Sequence, residues 1–295
     1  MPLLLEKDIQ TREVLDWQGL HLLHFASSAC SQKVRIFLNL KGIEWTPHAV
    51  NLAAQKNYEP WFLGINPRGL VPVLVHDGAV YIESNDILAY LEETFPEPRL
   101  IPPGRVGEVS ALMREEDGLH LSLRSLTMRF VLPRFLAAKS PASLSAYEKD
   151  RGTVGGELDE HKAIELRFWK DFARQGVTDA EVRASVARFR NVYERFDATL
   201  TDREYLLADS PGVLDIAWFI YTHRLTRAGY PFGQEHPHVD RWYRDLLSRE
   251  AFSKEVRDPL PIRLVAAGLG AVHRFRGRTL AEVARTALAD EPRRP

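Results

Sequence analysis

Three serines and the only cysteine of this 295-residue chain fall within Ser27-Ser28-Ala29-Cys30-Ser31-Gln32-Lys33-Val34-Arg35-Ile36. Leu20 to Phe25, just before, is an apolar run of strand length. Val34, Phe37, Leu38 and Lys41, just after, recur at helical spacing and predict a helix over 30–41 with a solvated end, stopped by Gly42. Small hydroxyl and thiol groups therefore sit where a strand turns into a helix. Such a start exposes unpaired N–H groups and the positive end of the peptide dipole, and it stabilises anions. A thiolate would profit, because a free thiol with a pKa near ~8.5 is only slightly ionised at neutral pH. Lowering that pKa by about two units, worth roughly 2.7 kcal/mol, makes the anion dominant. Hydroxyls donating to sulfur would supply part of the shift. The plainer use of Ser27, Ser28 or Ser31 is to cap the helix.

A second set of candidates follows a hairpin. Leu70-Val71-Pro72-Val73-Leu74-Val75 and Val80-Tyr81-Ile82 flank His76-Asp77-Gly78-Ala79, and Asp-Gly between β-branched runs predicts a type I′ turn. Pro72 cannot donate to a ladder, so it belongs at an edge, a bulge or a cis turn. A cis bond would turn the Val71 backbone outward, toward a peptide-like ligand. Glu83-Ser84-Asn85-Asp86 then opens another helix, with Ser84 as its expected cap.

The elements that must carry these groups are a strand (20–25), the first helix, a loose second strand (43–52), a short helical piece at Trp61-Phe62, the hairpin and the second long helix. Residues 1–18 read as a charged lead-in. Pro96, Pro98, Pro102, Pro103 and Gly104 form a linker, and helical spacing dominates after it. Residues 106–137 carry helical spacing up to Pro133, which bends or stops the helix. Further helices are predicted at 157–174, 179–200, 213–229 and 237–250, with 139–156 a mobile or inserted stretch and 259–295 an amphipathic tail ending in Pro292-Arg293-Arg294-Pro295.

Composition removes several classes. Lys plus Arg (39) nearly balance Asp plus Glu (40), so no overall field recruits nucleic acid or anionic membrane. One cysteine forbids intramolecular disulfides and thiolate zinc clusters, and no histidine pair has helical ligand spacing beside a carboxylate, so no metal is expected. Met1 to Asp8 turns acidic too early for a secretory signal, and Leu264 to Val272 is too short to span a bilayer. A cytoplasmic protein is expected.

Strand, helix, strand, short helix, proline-bearing hairpin and helix, followed by an all-helical half, resembles the cytosolic-type glutathione transferase family over about residues 20–258. The resemblance is most specific in Ser28 to Arg35, in Asn66-Pro67-Arg68-Gly69-Leu70-Val71-Pro72-Val73-Leu74, in Glu83-Ser84 before Ile87 to Glu92, and in Val213-Leu214-Asp215-Ile216-Ala217. It implies an α/β thioredoxin-like N-terminal domain (20–96) followed by an all-α helical domain (106–258). An extension (1–19), a linker (97–105) and a C-terminal extension (259–295) complete the chain. Around Asp215 the family carries a capping box with Ser or Thr three residues earlier. Gly212 stands there, leaving Ser210 as a substitute.

The resemblance further implies glutathione as co-substrate and a small hydrophobic electrophile as partner, in a homodimer without metal. Val71 before a cis Pro72 would pair with the cysteinyl backbone of glutathione, Glu83 and Ser84 would hold its γ-glutamyl end, and Lys56 with Gln55 would meet its glycyl carboxylate. Ser28 occupies the place of the catalytic serine of zeta and delta classes, Cys30 that of the bacterial beta-class cysteine, and Ser31 that of a serine in the lignin β-etherase branch. Ser28 is taken as the donor to the glutathione sulfur. Asp117, His120 and Arg124, with Phe130 and Trp218 as apolar wall, are the substrate-pocket candidates. The expected reaction is conjugation to, or displacement on, the electrophile, possible β-aryl ethers included. Disulfide reduction through Cys30 and a non-catalytic binding module are the alternatives.

Overall fold

The computed structural model describes residues 3–285, so Pro292 to Pro295 lie outside it. In chain order the elements are β1 (Leu20–His24), α1 (Ala29–Lys41), β2 (Thr46–Ala49), α2 (Pro60–Leu63), β3 (Val73–His76), β4 (Ala79–Tyr81) and α3 (Ser84–Thr94). Then come α4 (Val106–Gly118), α5 (His120–Phe130), α6 (Arg134–Ala137), α7 (Pro141–Lys149), β5 (Thr153–Val154), β6 (Glu157–Leu158) and α8 (Glu160–Gln175). Last are α9 (Asp179–Thr199), α10 (Val213–Ala228), α11 (Phe232–Glu235), α12 (Pro237–Ser248), α13 (Glu250–Ser253), α14 (Leu260–Phe275) and α15 (Leu280–Arg285). Within the described residues they form two compact units: 3–99 with 138–174, and 100–137 with 175–285.

The first unit is built on a four-stranded sheet in the order β2-β1-β3-β4, with β1 and β2 parallel and the other pairs antiparallel. This is the thioredoxin-like arrangement. β2 is shorter than its loose alternation suggests, and it contains Pro47, which an edge strand tolerates because one row of its N–H groups needs no partner. The hairpin turns at Asp77 (φ +47°) and Gly78 (φ +80°), both left-handed as a type I′ turn requires. A side chain at Gly78 would also lie 2.3 Å from the Leu15 carbonyl.

The lead-in is more than a charged tail. Leu4, Ile9 and Val14 are buried in the sheet core, and the Leu4 N–H donates to the Val80 carbonyl at 2.9 Å, covering the β4 edge. Lys41 is likewise no solvated end. It is buried, ion-paired with Glu92 at 2.7 Å, and donates to the carbonyls of Phe95 and Pro98.

Residues 138–174, placed by sequence in the helical half, belong to this first unit. Tyr147 of α7 is fully buried, stacks on Tyr58 at 4.6 Å and donates to the Arg68 carbonyl at 2.7 Å. The β5–β6 turn, Gly155-Gly156, is held by Asp8, whose carboxylate accepts from the Gly156 N–H at 3.1 Å and from the Thr153 hydroxyl. Aromatic burial and a paired carboxylate, not chain proximity, decide where this stretch goes.

The second unit is helical. The helical stretch at 106–137 breaks near Pro133, as expected, and also after Gly118, a residue that weakens a helix, so it holds three helices. α10 is apolar on most of its circumference, and its Trp218 is fully buried in T-shaped contact with Tyr193 and Phe196. Trp218 is thus a core residue and not the pocket wall expected of it. The Asp215 box is half a box, since Gly212 has no side chain to accept. Its N–H donates to Asp215 Oδ2 at 2.9 Å, while the Leu206 N–H (3.0 Å) and Trp242 Nε1 (2.8 Å) donate to Oδ1. Ser210 is exposed and takes no part. A side chain at Gly212 would meet the Leu100 carbonyl at 2.8 Å, which explains the glycine.

Candidate functional site

At the start of α1, Ser28 is the N-cap, its Oγ accepting from the Ser31 N–H at 3.3 Å. A hydroxyl has two acceptor lone pairs and one proton, so capping leaves the Ser28 O–H able to donate. Ser31 differs. It is fully buried, and its Oγ accepts from the Phe25 N–H at 3.4 Å, closing the β1–α1 loop. Cys30 is the second residue of α1 and half-buried. The loop is shaped by Arg35, a buried guanidinium donating to the carbonyls of Phe25 (3.3 Å) and Ala26 (2.9 Å). Buried Lys33 donates to Asn85 Oδ1 at 2.6 Å and ties α1 to the first turn of α3. The sequence alone does not assign these roles to Lys33 and Arg35; charges on the apolar side of a short helix are the signal for them.

The Val71–Pro72 bond is cis. Among the described residues, none hydrogen-bonds to the Val71 backbone. Ser84 is not the cap of α3 but its first residue. Glu83 is the N-cap, at φ +67°, a conformation costing of order 1 kcal/mol or more for a residue with a side chain, and no side chain caps this helix. Glu83 Oε1 accepts from Arg68 Nη1 at 2.6 Å, and Arg68 Nε donates to Asp159. Burial disfavours the charged form of Asp159, yet the His161 N–H and the Arg68 guanidinium outweigh it and hold the carboxyl below its usual range. Arg68, which links these carboxylates, lies within the Asn66 to Leu74 motif and is not among the site residues the sequence points to.

Gln55 and Lys56 separate. Gln55, at φ +58°, accepts the Ser140 N–H on its Oε1 at 2.9 Å, whereas Lys56 pairs with Glu59 at 2.6 Å with both side chains about half exposed. Lys139 Nζ donates to the Leu52 carbonyl at 3.0 Å.

The substrate-pocket candidates lie in the second unit. Asp117 is exposed near the end of α4, His120 Nδ1 meets the Tyr221 hydroxyl at 3.2 Å, and Arg124 is half-buried one turn further along α5. Phe130 lines a cavity of about 680 Å³, with His223, Arg227 and residues of α14. Burial, with Arg224 and Arg227 adding to it, pushes His223 down to about 3. Among the described residues no group of three or more His, Cys, Asp or Glu side chains could hold a metal ion, and no helix is long and apolar enough to cross a membrane.

Two family models match the chain, described as glutathione S-transferase, N-terminal domain (residues 27–94) and glutathione S-transferase, C-terminal domain (residues 179–245). Glutathione S-transferase 1 of Dianthus caryophyllus is 46% identical over 85 residues, which span 29% of this chain and only 38% of that relative's length. Protein LigF of Sphingobium sp. is 27% identical over 258 residues, covering 82% of this chain and 96% of its own. The crystal structure of beta-etherase LigF from Sphingobium sp. strain SYK-6 superimposes with a TM-score of 0.67 at 23% identity, over 81% of this chain and 98% of that one, which establishes the fold. A glutathione transferase from Burkholderia graminis, solved with two glutathione molecules per subunit, is similar at a TM-score of 0.57 and 20% identity over 88% of this chain and 98% of its own.

Proposed function

We propose, from the premise that this chain belongs to the cytosolic-type glutathione transferase family, that Ser28 activates glutathione for attack on a small apolar electrophile. The observation that carries this reading is the Ser28 hydroxyl, which caps α1 through a lone pair and retains its proton. That proton would be donated to the glutathione sulfur, and the α1 N-terminus would add its positive end, so the thiol gives its proton to solvent. The thiolate then attacks carbon. A C–S bond forms, the bond to the leaving group breaks with its electron pair, and an aryloxide or halide departs. Val71, Glu83 and Ser84 would hold the tripeptide, with the α3 N-terminus beside its γ-glutamyl carboxylate. An aryl ether is the favoured electrophile because the LigF relative, named a beta-etherase, spans nearly its whole length here. A homodimer is the assembly this reading assumes.

Cys30 supports a second reading, in which a half-buried thiol at a helix start forms a mixed disulfide with glutathione. One pair of variants separates the two. With a haloaromatic acceptor, Ser28→Ala should lower kcat/KM about a hundredfold while Cys30→Ala stays near the unaltered enzyme. Disulfide reductase activity lost only in Cys30→Ala would reverse the assignment.

A further inference from the structure

We infer that residues 138–174 are part of the glutathione site, with Asp159 positioning the group that reads the γ-glutamyl end and Lys139 positioning the group that reads the glycyl end. The inference rests on the functional reading above and adds to it an element outside both matched family segments, 27–94 and 179–245.

At one end, Arg68 lies between two carboxylates, Glu83 and Asp159, and its side chain is 11% exposed. Two anions about one cation leave a net negative charge. Glu83 Oε1 is taken by Arg68, and among the described residues Oε2 accepts no hydrogen bond. A carboxylate held on one oxygen presents the other in a fixed direction, which suits an ammonium group. Asp159 has the tighter surroundings, 10% exposed against 31% for Glu83, and it also accepts the His161 N–H. It therefore anchors the guanidinium, and the guanidinium aims Glu83. At the other end, Gln55 Oε1 is occupied by the Ser140 N–H, which leaves the amide N–H groups of this half-buried side chain as donors for a carboxylate. Lys139 reinforces the same turn by donating to the Leu52 carbonyl, its ammonium seated 4.9 Å from the Trp169 ring. Both ends of one tripeptide site are thus braced by one segment, anchored by buried Tyr147.

The test measures binding of three ligands by calorimetry to the full chain, to Asp159→Asn and to Lys139→Met. The ligands are glutathione, des-amino glutathione (no γ-glutamyl ammonium) and γ-glutamylcysteine (no glycine). Asp159→Asn should weaken glutathione and γ-glutamylcysteine about tenfold and leave des-amino glutathione unchanged. Lys139→Met should weaken glutathione and des-amino glutathione several-fold and leave γ-glutamylcysteine unchanged. A purely structural brace would lower all three affinities by one factor in either variant, and that result overturns the inference while the functional reading stands. Failure of the unaltered chain to bind glutathione overturns the functional reading itself, and the inference with it.

Discussion

α1 and α3 both start with polar groups that could serve an anion, yet they are finished in different ways. α1 is closed by its own N-cap, the Ser28 hydroxyl, three residues from the N–H it accepts. α3 begins on Glu83 in a left-handed conformation, and no side chain hydrogen-bonds to close its start. Its carboxylate is steered by Arg68, 15 residues back, and through it by Asp159, a further 91 positions away from Arg68. A third start, that of α10, is closed from inside the core by Asp215. The starts of α1 and α10 are closed by acceptors that are local or buried, whereas the start of α3 takes its order from distant groups.

The comparison can be broken first at its structural extreme. Asp215→Ala strands three N–H donors, two of them buried (Leu206, Trp242) and one half-buried (Gly212). Each unsatisfied buried donor costs about 1–3 kcal/mol, so a loss of at least ~2 kcal/mol is expected. Chemical denaturation reads it directly. A change under about 1 kcal/mol would mean that water or rearrangement replaces the carboxylate, and that α10 is not closed by this residue.

At α1 the prediction concerns two serines three positions apart. Ser28→Ala should lose about a hundredfold in kcat/KM and about 1 kcal/mol in stability for the lost cap. Ser31→Ala removes only an acceptor from the Phe25 N–H, so it should cost about 1 kcal/mol with activity kept within a few-fold. Equal losses of activity in both would dissolve the distinction between capping and donating. At α3, Glu83→Gln keeps the backbone but halves the anionic character facing Arg68. Glutathione affinity should fall about tenfold, or ~1.4 kcal/mol, with a smaller change in unfolding free energy; the reverse ranking would make Glu83 a structural residue.

What was legible in the sequence follows the same division. The Asp77-Gly78 turn could be read because positive φ at two adjacent positions needs those residue types. Strand, helix and hairpin order and the helical second half could be read from periodicity, while the thioredoxin-like sheet came from the family resemblance that this order and its motifs carry. Ser84 looked like a cap because serine commonly is one, but the backbone reverses at Glu83 and shifts the cap by one residue. Lys41 looked solvated because its partners, Glu92 and two carbonyls beyond residue 94, are not local. The placement of residues 138–174 depends on Tyr147 meeting Tyr58 and on Asp159 meeting Arg68, pairings that no periodicity encodes.

The smallest expected effect separates α1 from α3 by pH. The Asp159 carboxyl is held below its usual range in the folded chain, so the stability it contributes is complete above its unfolded pKa, about 3.9. That contribution is lost as pH falls below this value and through the lower folded one, because the unfolded carboxyl takes up its proton first. The Ser28 cap involves no titrating group. Amide hydrogen exchange followed from about pH 5 to pH 3 should therefore show protection falling in α7 and at the start of α8 relative to α1. Asp159→Asn, which cannot titrate, should show a flat difference between those regions over the same range. If the variant and the unaltered chain lose protection in parallel, acid acts elsewhere, and Asp159 is not what couples the inserted segment to Glu83.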